Sequence, residues 1–227
     1  MAANFFSADH TESCSNLISP PPTAFEQDWA SAPLRLGVMA SGSGSNFAAI
    51  AQAIASRQLN AHLSVLIYNN PEARAAVRAA EQHIPAVLLN HRDFSSRDAL
   101  DAEIVKTLQQ HGVDWVVMAG WMRRVTTVLI NAFPRRIVNI HPSLLPSFPG
   151  IRAIEQALAA GVKITGCTVH YVELEVDSGP IIAQAAVPIL PGDTPETLHQ
   201  RVQAQEHRLY PMAIAIAATQ AQQHPPT

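Results

Sequence analysis

The stretch IVNIHPSLLPSFPG, residues 137–150, places an amide and an imidazole two positions apart, at Asn139 and His141. The branched apolar residues before them read as a strand, and alternate residues of a strand share one face. An amide donor and an imidazole at one strand end can hold a carbonyl oxygen that turns negative during acyl transfer. A satisfied histidine at a strand end is the plainer alternative, and residue type alone leaves both open. Pro142, Pro146 and Pro149 stiffen the loop that follows, which would fix the walls of a pocket. Asp177 sits in the turn LEVDSG, where aspartate is common for turn chemistry alone. Beside His141 it would favour the charged ring and handle protons. Spacing cannot show that contact.

A second candidate is SGSGSN, residues 41–46. Its glycines permit unusual dihedrals, and its backbone N–H groups can point at an anion beside a helix N-terminus. Phe47 stands where a dinucleotide fingerprint needs its third glycine, and no Gly-Lys-Ser/Thr ending marks a P-loop. A small phosphate monoester fits the loop; so does an ordinary glycine turn with Ser45 as N-cap. His170 falls in mid-strand and reads as structural. Arg97, Glu206 and His207 fall on helices, where a solvated face is the default. There is no G-x-S-x-G elbow and no H-E-x-x-H, so nothing points to a covalent serine enzyme or a metalloprotease.

The elements that must position these residues alternate. LRLGVMAS, HLSVLIYN, AVLLN, DWVVMAG and IVNIH are strand-like. Between them run NFAAIAQAIASRQL, PEARAAVRAAEQH, SSRDALDAEIVKTLQQHG and the short VTTVLINAF. Pro71 is expected at N1 of the second helix with Glu72 in its first turn, and Ser95 or Ser96 as cap of the third. Such alternation predicts an α/β, Rossmann-like, mostly parallel central sheet flanked by helices. RAIEQALAAG is a further short helix. ITGCTVHYVE and PIIAQAAVPIL then predict an antiparallel strand pair in the C-terminal part. A long helix follows, with Thr194 as N-cap and Pro211 as a possible kink. In open sheets of this kind ligands sit at the carboxyl ends of the strands, which singles out SGSGSN, GWMRRV and NIHPSLLPSFPG.

The chain has 227 residues, 48% of them hydrophobic, and a formal charge of −3. That suits one compact domain with no nucleic-acid partner. No apolar run approaches the roughly 20 residues needed to span a membrane. Cys14 and Cys167 fall in a tail and a strand, which argues against a disulfide or zinc site and fits a cytoplasmic location. Residues 1–33, with Pro20, Pro21 and Pro22 and no lysine or arginine, read as a disordered arm rather than a targeting signal. Residues 34–220 read as the folded domain and 221–227 as a flexible tail.

Together SGSGSN, VVMAGWMRRV, NIHPSLLPSFPG, VHYVELEVDSGPII and RVQAQEHRLYP, in that order, resemble the folate-dependent formyltransferase family over residues 34–217. The resemblance implies transfer of a formyl group from 10-formyltetrahydrofolate to the amine of glycinamide ribonucleotide, a step of purine synthesis, without a metal. It also implies small-molecule partners only and a monomer or homodimer. By the same resemblance Asn139, His141 and Asp177 match the catalytic trio, and the backbone of Gly44, Ser45 and Asn46 the phosphate loop. Glu206 matches a ribonucleotide contact and Arg97 a folate contact. Met122, Arg123, Arg124 and Val125 match the backbone that grips the pteridine, with the segment before Asp177 as the opposite wall. Many relatives carry histidine where this chain has Arg152. A formyltetrahydrofolate deformylase would be expected to add a folded N-terminal domain, and a methionyl-tRNA formyltransferase a C-terminal RNA-binding domain. A non-catalytic nucleotide-binding module would keep SGSGSN without needing the trio.

Overall fold

The computed structural model describes residues 17–21 and 32–223. Among these residues eight strands form one sheet: β1 (Ile18–Ser19), β2 (Leu34–Ala40), β3 (Ala61–Tyr68), β4 (Ala86–Leu88), β5 (Trp115–Met118), β6 (Ile137–His141), β7 (Ile164–Tyr171) and β8 (Ile181–Pro188). Six α-helices accompany them among the described residues: α1 (Ser45–Ala55), α2 (Arg74–Glu81), α3 (Arg97–Gln110), α4 (Thr127–Ala132), α5 (Ala153–Ala160) and α6 (Pro195–Gln223). The strand order is β1-β8-β7-β6-β5-β2-β3-β4. The run from β4 to β6 is parallel, whereas β6–β7, β7–β8 and β1–β8 are antiparallel. The expected parallel sheet with a C-terminal antiparallel pair is therefore present. Among the described residues no helix is long and apolar enough to cross a membrane.

The central strands are buried on both faces, which is why WVVM of β5 carries no polar alternation. One face packs against α1 and α6 through Phe47, Ile50, Leu209 and Ile214; the other packs against α3 and α4 through Ile104, Leu108 and Leu129. Burying each such side chain stabilises the fold by about 1.5–3 kcal/mol. The helix starts have identifiable caps. Ser96 Oγ accepts from the Ala99 amide at 3.1 Å, and Thr194 Oγ1 accepts from the Thr197 amide at 3.3 Å. The fully buried Tyr210 pins α6 to the sheet, its hydroxyl donating to the carbonyl oxygens of Met118 and Val138 at 3.0 and 3.1 Å.

Four local expectations change. Helix α2 starts at Arg74, not at Pro71, because Asn70 Oδ1 accepts from the Glu72 amide at 3.2 Å and turns the chain first. Gly44, in the left-handed region at φ 69, is the N-cap of α1, and Ser45 is its first residue. Helix α6 runs unbroken through Pro211 to Gln223, three residues into the segment read as a tail. Within the segment read as a disordered arm, Ile18 and Ser19 pair with Ala185 and Gln184, and Ile18 is buried in the core. An isoleucine beside an unpaired strand edge gains both a hydrogen-bond ladder and apolar contact. Residues 1–16 and 22–31 of the arm lie outside the described residues, as do residues 224–227 of the tail.

Candidate active site

The sheet reverses its winding between β2 and β5, because β2 leads on to β3 on one side and β5 to β6 on the other. A crevice opens at the carboxyl ends of strands at such a point. The loops leaving β2 and β5 are tied together there. The Ser41 amide donates to the Gly120 carbonyl at 3.0 Å, and the Met122 amide donates to Ser41 Oγ at 2.8 Å. The Thr126 amide donates to the buried Asp101 carboxylate at 2.5 Å, anchoring the far end of the β5 loop to α3.

Loop 41–44 turns into α1 beneath the start of α2. A Cβ on Gly44 would lie 2.7 Å from Ala75 Cα, so only glycine fits both that approach and its positive φ. The Ala75 amide donates to the Gly42 carbonyl at 3.1 Å, and Arg78 Nε donates to the Ser43 carbonyl at 2.9 Å. From α6, Gln203 Nε2 donates to Ser45 Oγ at 3.1 Å and Glu206 Oε2 accepts from Asn46 Nδ2 at 2.9 Å. Burial pushes the Glu206 carboxyl above its ordinary pKa, partly offset by Asn46 and by the nearby His199 and His141.

Asn139 and His141 sit on β6 opposite His170 and Thr168 of β7. Strand β7 stops opposite Val138, so the connection to β8 stays close to the level of Asn139. Asp177, on that connection with φ 54, reaches back to the cluster. Its Oδ2 lies 3.3 Å from His141 Nδ1, and its Oδ1 lies 3.6 Å from His170 Nε2. The Gly150 amide donates to Oδ2 at 2.8 Å. Burial pushes the Asp177 carboxyl up, but His170, the Gly150 amide and the charge of His141 together hold it below its ordinary value.

Backbone carbonyls assign the ring protons. His141 Nε2 lies 2.8 Å from the Phe148 carbonyl oxygen and His170 Nδ1 lies 2.8 Å from that of Tyr171, so each nitrogen must donate. In the neutral ring His170 Nε2 is then the acceptor for Asn139 Nδ2 at 3.2 Å, and in the charged ring its proton faces Asp177. The second hydrogen of that amide is left for another acceptor. His141 Nδ1 faces a carboxylate that can only accept, and the contact becomes an ion pair when Nδ1 carries a proton.

A cavity of about 610 Å³ joins these parts. Its lining includes residues 41–46, residues 122–125, Asn139, His141, Asp177 and Glu206. A family model described as formyl transferase matches residues 34–214. The chain belongs to the formyl transferase family. The solved structure of glycinamide ribonucleotide transformylase 1 from Symbiobacterium toebii is a similar member. It is 46% identical with a TM-score of 0.81, over 83% of this chain and 90% of that one. The phosphoribosylglycinamide formyltransferase of Bacillus subtilis (strain 168) is 42% identical over 79% of this chain and 92% of its own length. The trifunctional purine biosynthetic protein adenosine-3 of Drosophila pseudoobscura pseudoobscura is 43% identical over 82% of this chain. This chain spans 14% of that longer protein.

The cavity thus gathers the residues matched to the catalytic trio, the phosphate loop, Glu206 and residues 122–125, whereas Arg97 and His207 lie outside its lining. Arg97 stands exposed in the first turn of α3, outside the lining. His170 was expected to be structural, yet it touches both Asn139 and Asp177. Its signal is the β6–β7 register, which one sequence does not display. Arg152 also lines the cavity, in the left-handed region at φ 60.

Proposed function

We propose that this formyl transferase moves the formyl group of 10-formyltetrahydrofolate to the amine of N1-(5-phospho-D-ribosyl)glycinamide in de novo purine biosynthesis. One observation carries the reading: a cavity joins the helix-headed loop 41–46 to the cluster of Asn139, His141 and Asp177. Backbone N–H groups of Gly44, Ser45 and Asn46 at the head of α1 suit the phosphate. Glu206, on the wall beside them, takes a polar group of the ribonucleotide. The donor's flat ring lies between the backbone of residues 122–125 and the facing segment 172–176. Exposed Met122, Leu174 and Ile151 line this part of the cavity, and a ring system would cover such apolar surface. Arg97, outside the cavity, meets the donor only beyond the rim.

The amine lone pair attacks the formyl carbon and the carbonyl oxygen becomes an oxyanion. The second Asn139 Nδ2 hydrogen is directed to that oxygen. A proton on His141 Nδ1 adds positive charge, and its 3.3 Å separation from Asp177 is long enough for an incoming oxygen to share it. Asp177 accepts the proton released by the amine, directly or through water, and returns it to the departing donor nitrogen as the old C–N bond breaks. The test is an assay with both substrates that counts formylated ribonucleotide and tetrahydrofolate separately. Equal amounts are expected. Tetrahydrofolate and formate without formylated ribonucleotide would overturn the reading in favour of a deformylase.

A further inference from the structure

Loop 142–150 holds a backbone conformation that its residues do not favour. Phe148 has φ 55, in the left-handed region that bulky L-residues rarely occupy. Such a conformation persists only where the surroundings over-determine it. Here the surroundings are a buried polar cluster behind the loop. Thr168 is fully buried and lies opposite His141 in the β6–β7 ladder. Its hydroxyl donates to the Ser143 carbonyl at 2.7 Å. It accepts from the Leu145 amide at 3.0 Å and from Gln184 Nε2 at 3.0 Å. Gln184 Nε2 also donates to the Leu145 carbonyl at 2.9 Å. Ser143 Oγ donates to the Ser147 carbonyl at 2.5 Å, which carries the constraint to the residue before Phe148.

The far side of the loop meets the reacting groups. The Phe148 carbonyl accepts from His141 Nε2, and the Gly150 amide donates to Asp177. We propose that Thr168 and Gln184 are positioning residues for formyl transfer: they lock the strained turn whose Phe148 carbonyl fixes the His141 ring with Nδ1 toward Asp177. This rests on the reading that His141 and Asp177 serve the transfer step. The charged or titratable groups around His141 are Asp177 from the β7–β8 connection, His170 from β7 and Glu206 from α6, with Arg152 on the cavity wall at the head of α5. Among the described residues the Phe148 carbonyl is the hydrogen-bond partner of Nε2, and with Asp177 at Nδ1 it sets the orientation of the ring.

Thr168→Val keeps the side-chain shape and removes both the donor and the acceptor. It should lower kcat by about 10- to 100-fold, the scale of a small misplacement of a reacting group. The KM values of both substrates should stay within about 2-fold, as expected when only transition-state contacts are lost. The pH profile of kcat should shift, and Thr168→Ser should restore both kcat and profile. Gln184→Met provides a second, less buried variant in case Thr168→Val does not fold. Ring ¹⁵N NMR of His141 supplies a readout that needs no turnover. The wild type should show a protonated Nε2, and the variants a mixture of tautomers. Folded variants with wild-type kcat, profile and ring spectrum would overturn the proposal. A wild-type enzyme that fails to formylate the ribonucleotide would instead remove the functional reading, and the ring spectra alone would then decide this inference.

Discussion

Asp177 is the residue whose charge does most in the proposed centre. Its folded-state pKa is depressed, so the stabilisation it gives is complete above the ordinary carboxylate value and is lost as pH falls through the lower folded value. At neutral pH it is ionised. Asp177→Asn keeps the shape, removes the charge, and should lower kcat by about 10²-fold or more, on the scale of losing one oxyanion donor. Donor affinity should change far less, because the donor's ring is assigned to backbone at residues 122–125. Near-normal kcat in this variant would remove Asp177 from the mechanism. Glu206 has the opposite sign. Its raised pKa means that the fold bears a penalty that grows as pH rises from the ordinary value of 4.5 through the folded one. Glu206→Gln should therefore raise Tm at neutral pH, with a gain that shrinks towards pH 4, while raising KM for the ribonucleotide. A variant less stable than wild type at pH 7 would contradict this. The shared face of Asn139 and His141 was legible from the two-residue period. Their meeting with Asp177 was legible only through the family resemblance, since no spacing rule carries a residue across from another strand pair. The place of His170 was not legible at all, because it depends on register.

At the scale of elements, strand–helix alternation was enough to derive the parallel sheet and the antiparallel pair. The boundaries that failed were set by single side chains. Asn70 delayed the start of α2, and that delay leaves the Ala75 amide to hold the loop at Gly42. The junction of loop 41–44 with α1 therefore depends on close contact between two helix starts. Gly44→Val would place a branched side chain at φ 69 against Ala75 and should open the loop. Ribonucleotide KM should rise at least about 10-fold, the equivalent of 1.4 kcal/mol, with donor KM nearly unchanged. Equal losses for the two substrates would argue that the loop does not hold the phosphate. Initial-rate kinetics with each substrate varied in turn distinguishes these outcomes.

For the whole molecule, β1 ties a distant N-terminal segment to the outer edge of β8. Composition pointed to a loose arm because prolines and polar residues dominate it, and the burial of one isoleucine is invisible in such an average. Deleting residues 1–33 should remove about 1.5–3 kcal/mol through the loss of Ile18 burial. That corresponds to a fall in Tm of about 3–12 °C for a chain of this size. Turnover per folded molecule should stay within about 2-fold of wild type, because β1 meets β8 by backbone pairing at Ala185 and Gln184 and its loss leaves the Gln184 side-chain bonds to Leu145 and Thr168 in place. A large loss of kcat with the fold intact would show that the arm contributes to the site.

The bond from the Met122 amide to Ser41 Oγ makes the two loops, proposed here to hold the phosphate and the formyl donor, one mechanical unit. A ligand that steadies either loop lowers the entropy left for the other to lose. The two substrates should therefore bind with positive linkage. The factor by which a donor analogue tightens the ribonucleotide must equal the factor in the reverse direction. Calorimetric titration of each ligand in the presence and absence of the other measures both factors. Ser41→Ala cuts the side-chain link, leaving the Ser41 amide bond to Gly120 and the assigned backbone donors in place, and should lower the two factors while leaving each separate affinity nearly as it was. If the factors survived the substitution, the coupling would have to run through the Ser41 amide bond to the Gly120 carbonyl or through the sheet beneath the loops.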